Sequence, residues 1–88
     1  LNKHKEAIED YSKTISIDPE YVFAYFNRGL SRLQVQDYKG AEEDFSSVIK
    51  LSPKNAEAYF RRADARLKSN NELGACEDLG KSGNMGYD

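Results

Sequence analysis

The block Ala7-Ile8-Glu9-Asp10-Tyr11 returns as Ala41-Glu42-Glu43-Asp44-Phe45 and again as Ala75-Cys76-Glu77-Asp78-Leu79, at a constant spacing of 34 residues. No other feature restricts the fold as much. A unit of this length holds one helix-turn-helix, which cannot bury its apolar face alone and must stack on its neighbours. One unbroken period across the chain therefore predicts a single all-α array and excludes a mosaic of domains.

The second and third copies agree further, with Pro19/Pro53, Ala24/Ala58, Tyr25/Tyr59, Phe26/Phe60, Arg28/Arg62, Arg32/Arg66 and Leu33/Leu67 all in step. Gly29 is answered by Ala63, which keeps that slot small enough for two helix backbones to approach closely. Apolar and aromatic side chains at Ala7, Ile8, Tyr11, Ile15 and Ile17 follow the spacing of one helix face and predict a helix from about Lys3 to Ile17. Asp18-Pro19 should stop it, because proline lacks an N–H and disfavours helix in the residue before it. Helices are then expected over Tyr21–Val35, Tyr38–Leu51, Asn55 or Ala56 to Ser69, and Glu72–Ser82. Asp37 stands ready to cap the third. Gln36 and Asn70 occupy the turn positions where a left-handed residue is required, and asparagine tolerates that conformation better. The last helix reads as weak because it contains Gly74 and Gly80, with Gly83 or Gly86 expected to end it.

An aromatic early in the first helix of each pair, a small residue after it, an alanine and then an aromatic in the second helix, and a closing proline together resemble the tetratricopeptide repeat family. The resemblance covers the whole chain and implies a right-handed superhelical array of antiparallel helix pairs, about five helices in all. Residues 1–21 would be a partial repeat, followed by repeats at 22–55 and 56–88. In that frame the first helix of the opening copy would lie upstream of Leu1, so the chain is expected to be a piece of a longer array.

The chain departs from the family's pattern at four apolar slots. Arg28 and Arg62 stand where the family usually has leucine, and Arg32 and Arg66 where it usually has tyrosine. A guanidinium near the interior needs a fixed partner, because an unpaired buried charge costs several kcal/mol. The recurring Glu-Asp pairs at 9/10, 43/44 and 77/78 are the available partners, with Asp44 and Asp78 foremost. The functional alternative is an arginine stripe that grips phosphates or acidic ligands.

Composition narrows the function classes. Of the 88 residues 32% are charged and 39% apolar, with a formal net charge of -2 and no apolar run near the ~20 residues a membrane-spanning helix needs. Membrane insertion by this segment is not expected, and neither is nucleic-acid binding, since no basic stripe is present. Cys76 is the only cysteine, so no internal disulfide can form; beside the small alanine slot it is expected to pack as a small apolar residue. His4 is the only histidine, and no histidine or cysteine lies at metal-ligand spacing from it. No glycine-rich phosphate loop, nucleophile elbow or thiol-imidazole pair is present. The expectation is a non-enzyme with no cofactor and no metal.

The resemblance supplies a groove lined by the first helices of successive repeats. Its candidate residues are Phe23, Phe26, Asn27, Leu30, Leu33 and Gln34 in one repeat, and Glu57, Phe60, Arg61, Asp64 and Lys68 in the next. Phe26 and Phe60, expected side by side, are large apolar contacts of low entropy cost, suited to anchoring a peptide or a partner helix. Packing between repeats is the competing role for both. Tetratricopeptide domains that hold acidic C-termini of heat-shock chaperones use a carboxylate clamp, whose asparagine and arginine this chain matches at Asn27 and Arg61. The lysine of that clamp is Glu57 here. A protein or peptide is thus the expected partner, and homo-oligomerisation through exposed repeat ends is the alternative.

Overall fold

A computed structural model describes residues 3–84. Five helices follow one another: α1 (Lys3–Ile17), α2 (Val22–Gln34), α3 (Tyr38–Leu51), α4 (Ala56–Lys68) and α5 (Glu72–Asn84). Each packs against its neighbours in sequence, α2 with α3 and α4 with α5 most extensively. The fold is the all-α solenoid that the 34-residue period predicts.

The turns show why the pairs close so tightly. Gln36 and Asn70 both take φ of 66°, the left-handed conformation. Around the first, Asp37 N donates to Arg32 O at 2.8 Å and Gln36 N to Leu33 O at 3.1 Å. Around the second, Asn71 N donates to Arg66 O at 2.7 Å and Asn70 N to Leu67 O at 3.1 Å. This is the Schellman pattern, which satisfies orphan carbonyls at the end of a helix. The next residue then begins a new helix: Asp37 Oδ1 accepts from Gly40 N, and Asn71 Oδ1 from Gly74 N, both at 3.0 Å. One residue thus closes the first helix of a pair and caps the second. Asn55 caps α4 in the same way, accepting from Ala58 N at 3.1 Å.

The core is thin and runs between helices. Ala41, Phe45 and Ala65 form its buried centre, with Phe26, Leu30 and Leu33 leaning on it. Ala65 comes from α4, so this cluster joins two repeats. Burial is uneven along the array: Ala41, Asp44, Phe45 and Val48 are buried in α3, whereas no residue of α1 is.

Two expectations about the last helix are corrected. It runs to Asn84 and passes through Gly83, so Gly83 is no cap; Gly86 lies outside the described residues. Cys76 is exposed and not packed, because it occupies the position that Glu42 holds in the preceding repeat, at the rim of the helix pair.

Candidate functional site

The arginines decide which charges are available to a ligand. Arg28 Nε donates to Asp44 Oδ1 and Oδ2 at 3.2 and 3.0 Å, and Nη2 to Oδ1 at 2.7 Å, while Arg32 Nη1 reaches Oδ2 at 3.1 Å. One repeat on, Arg62 Nε and Nη2 donate to Asp78 at 2.9 and 2.8 Å, and Arg66 Nη1 at 2.8 Å. Asp44 is 2% exposed and Asp78 1%, so each buried carboxylate is held by two arginines. Such bidentate, charge-assisted bonds offset desolvation and fix geometry.

Further contacts tie each network to neighbouring helices. Arg28 Nη1 donates to Ser12 Oγ and Arg62 Nη1 to Ser46 Oγ, each at 3.1 Å. Arg66 Nε also donates to Glu42 at 2.8 Å. Each network therefore spans three helices. Ser12 and Ser46 share the 34-residue period, so these neutral partners of the arginines also leave a trace in the sequence. Among the described residues Glu9, Asp10, Glu43 and Glu77 form no ion pair; Glu42 and Asp37, outside the Glu-Asp pairs, do.

The hydrogen bond to Asp44 raises the Arg28 guanidinium above its ordinary value, against the effect of burial. For Arg66, burial opposes the charge, yet the bond to Glu42 and the charges of Asp78 and Glu42 outweigh it, and the net shift is upward. A cation with a raised folded value contributes fully below its unfolded value and is lost only as pH rises above the ordinary arginine range. These two guanidinium groups are thus fully charged at neutral pH and already committed to carboxylates.

The groove candidates divide into three groups. Phe23 is 68% exposed, with its ring edge against Tyr21 at a centroid distance of 6.1 Å. Phe26, Leu30 and Leu33 are half-buried on the inter-repeat core, and the Phe26 ring stands edge-on to Phe45 at 5.6 Å. Val22, Phe23 and Phe26 of α2, together with Asn55 and Glu57, line a hollow of about 120 Å³ between the two repeats. A second hollow of about 240 Å³ is lined by Phe60, Ala63, Asp64 and Leu67 of α4 and by Leu79 of α5.

The polar members complete the face. Arg61 Nη2 lies 3.2 Å from Glu57 Oε2, and Lys68 Nζ lies 3.3 Å from Asp64 Oδ2, both pairs one helical turn apart. Each cation on this face of α4 therefore carries its own counter-charge. The side chain of Asn27 makes no hydrogen bond among the described residues, and Gln34 is exposed. No helix among the described residues is long and apolar enough to cross a membrane.

Comparison with known proteins supplies the family. A model described as a TPR repeat matches residues 1–36, and one described as the tetratricopeptide repeat matches residues 24–55. No curated protein matches the chain. Among solved structures, the first TPR of Spaghetti (RPAP3) bound to the HSP90 peptide SRMEEVD is 26% identical with a TM-score of 0.91, over 96% of this chain and 67% of that one. The second TPR of the same protein, bound to the same peptide, is 29% identical with a TM-score of 0.90, over 94% of this chain and 77% of that one. A MamA RS-1 ArsTM double mutant is 21% identical with a TM-score of 0.92, over 98% of this chain but only 48% of its own, which bears on the fold alone. With its left-handed turns, capped helix pairs and inter-repeat core in the same 34-residue frame, the chain belongs to the tetratricopeptide repeat family.

Proposed function

We propose that this chain is a non-catalytic protein-interaction scaffold that holds a peptide or partner helix along the face of α2 and α4. The observation that carries this reading is the apolar hollow between them, walled by exposed Phe23 and half-buried Phe26. An anchor side chain entering it would gain about 25 cal/mol for each Å² of apolar surface removed from water. The two Spaghetti domains, each bound to a peptide, support the scaffold reading by their likeness.

The occupant differs in charge from the peptide those domains hold. A ligand carboxylate approaching Arg61 must compete with Glu57, which already pairs with it and repels a second acid. A neutral, apolar segment meets no such opposition. The peptide SRMEEVD should therefore bind this chain no better than its C-terminally amidated form. Glu57→Lys frees Arg61 and adds a second cation, and it should create a preference of about tenfold for the free carboxylate, as expected for a new charge-assisted contact. Isothermal titration of both peptides against both proteins checks this. Tight, carboxylate-dependent binding by the unaltered chain would overturn the neutral-ligand reading.

A second reading, self-association, draws on apolar side chains at the two ends, Ile17 at 86% and Leu73 at 76% exposure. Light scattering across a dilution series separates it from a monomeric binder.

A further inference from the structure

At one surface position the 34-residue frame reads lysine, serine, lysine: Lys13 in α1, Ser47 in α3 and Lys81 in α5. The last of these shows what the lysine can do. Lys81 Nζ lies 5.6 Å from the ring centroid of Tyr59, which also has the Arg62 guanidinium at 5.5 Å. Glu77, one helical turn before Lys81, forms no ion pair among the described residues, so the ammonium group takes the ring in preference to that carboxylate.

Tyr25 is the counterpart of Tyr59, and it has half of this arrangement. Arg28 lies 5.8 Å from its centroid, as Arg62 does at Tyr59, but no second cation lies over it among the described residues. The short side chain of Ser47 donates to Glu43 O at 3.2 Å and does not reach the ring. What it leaves is a hollow of about 310 Å³, lined by Pro19, Glu20, Tyr25, Ser47, Lys50 and Leu51. No residue of this hollow belongs to the two hollows along α2 and α4.

We propose that it is the seat for the ammonium group of a lysine on a partner protein, which takes the place over Tyr25 that Lys81 takes over Tyr59. A tyrosine ring attracts a cation to its face, and the apolar sides of Pro19 and Leu51 suit the four-carbon stem of a lysine. The rim charges favour the same guest. Glu20 stands where the next repeat has Lys54, so an acid replaces a base at the mouth of the hollow, and Glu43 has no lysine one turn on to pair with. Lys50 is the opposing charge. It is exposed and makes no ring contact among the described residues, and it is offset by Glu20 and Glu43, both exposed and without an ion pair there. The volume takes a whole lysine side chain, and Lys81 shows that such a side chain reaches the ring.

The probe is the peptide acetyl-Gly-Gly-Lys-Gly-Gly-amide, titrated at millimolar concentration into the whole chain and followed by ring and amide chemical shifts. The Tyr25 ring and the amides of residues 47–51 should shift together. The same peptide with norleucine in place of lysine keeps the stem without the charge, and it should bind about two- to fivefold more weakly. Ser47→Lys should supply the ammonium group from within and abolish the response, and the lysines at 13 and 81 show that a helix in this frame accepts the residue. Glu20→Lys, which copies the next repeat on an exposed side chain, should weaken binding about threefold or more. No shift at Tyr25, equal binding by the norleucine peptide, or undiminished binding by the Ser47→Lys or the Glu20→Lys protein would each overturn the proposal. Tighter binding of tetramethylammonium than of the lysine peptide would also overturn it, by naming a free small cation as the guest.

Discussion

At the scale of single residues, Gly29 and Phe45 act as one unit. A Cβ built at Gly29 would lie 2.9 Å from Cε1 and Cζ of Phe45 and 3.3 Å from Asp44 Cβ, all of them buried. The ring cannot retreat, because it is also packed edge-on against Phe26. Alanine at position 29 would gain helix propensity, worth up to about 1 kcal/mol, but overpacking a filled core costs about 1–3 kcal/mol. We expect Gly29→Ala to destabilise the chain by about 1–2 kcal/mol. The third repeat suggests the remedy, since Ala63 there sits with Leu79 at one hollow. In Phe45→Leu, which loses buried surface by itself, the added methyl should be tolerated or favourable. A urea-unfolding double-mutant cycle should then show a coupling of at least about 1 kcal/mol. Strict additivity would mean that the small slot exists for another reason.

At the scale of elements, α5 is the flawed member, and its flaws are local. Among the described residues a Cβ added at Gly80 or Gly83 meets nothing within 4 Å, so both glycines reduce helix propensity with no steric reason there for their presence. Ser82 lies at the position of Val48 and buries a hydroxyl that has no hydrogen-bond partner among the described residues. Gly80→Ala and Gly83→Ala should each stabilise by about 0.5–1 kcal/mol, and Ser82→Val by about 1 kcal/mol or more, through removal of an unsatisfied buried oxygen. Thermal melts of the three variants and their combination test this; no rise in the melting temperature would show that α5 contributes little to the cooperative unit. The same helix shows why sequence reading errs at ends. Gly83 suggests a stop, yet continuing costs only its propensity, so the helix runs on to Asn84. Gln36 and Asn70 carry no glycine signal, but the two Schellman hydrogen bonds at each turn hold them left-handed.

At the scale of the molecule, what could be read from the sequence is what repeats. The helix order, the turns and the register of Arg28, Arg32, Arg62 and Arg66 against Asp44 and Asp78 follow from one spacing, because a periodic contact leaves a periodic trace. The groove face breaks the period: Leu30 is answered 34 residues on by Asp64, and Phe23 by Glu57. Nothing in the chain reveals that Phe26 and Leu30 lean inward while Phe23 stands free. That difference depends on where α4 lies, and so does the exposure of Cys76 depend on what stands beside α5. An array of neighbour contacts should also fail locally, since its stability is a sum of repeat and interface terms. The Asp78 network reaches back to α3 through Ser46 and Glu42, as that of Asp44 reaches α1 through Ser12, but only Asp44 sits on the helix that carries Ala41 and Phe45 of the central cluster. Removing either carboxylate leaves Arg28 or Arg62 without an acidic partner, while Arg32 or Arg66 keeps only Asp37 or Glu42, and should cost about 3–5 kcal/mol. The consequences should differ in extent. In Asp78→Ala, amides of α5 should lose hydrogen-exchange protection while those of α2 and α3 keep theirs, because α5 can detach without opening the inter-repeat core. In Asp44→Ala, protection should fall in α2, α3 and α4 together. A uniform loss in both variants would show that the five helices unfold as one unit and that the two networks do not act locally.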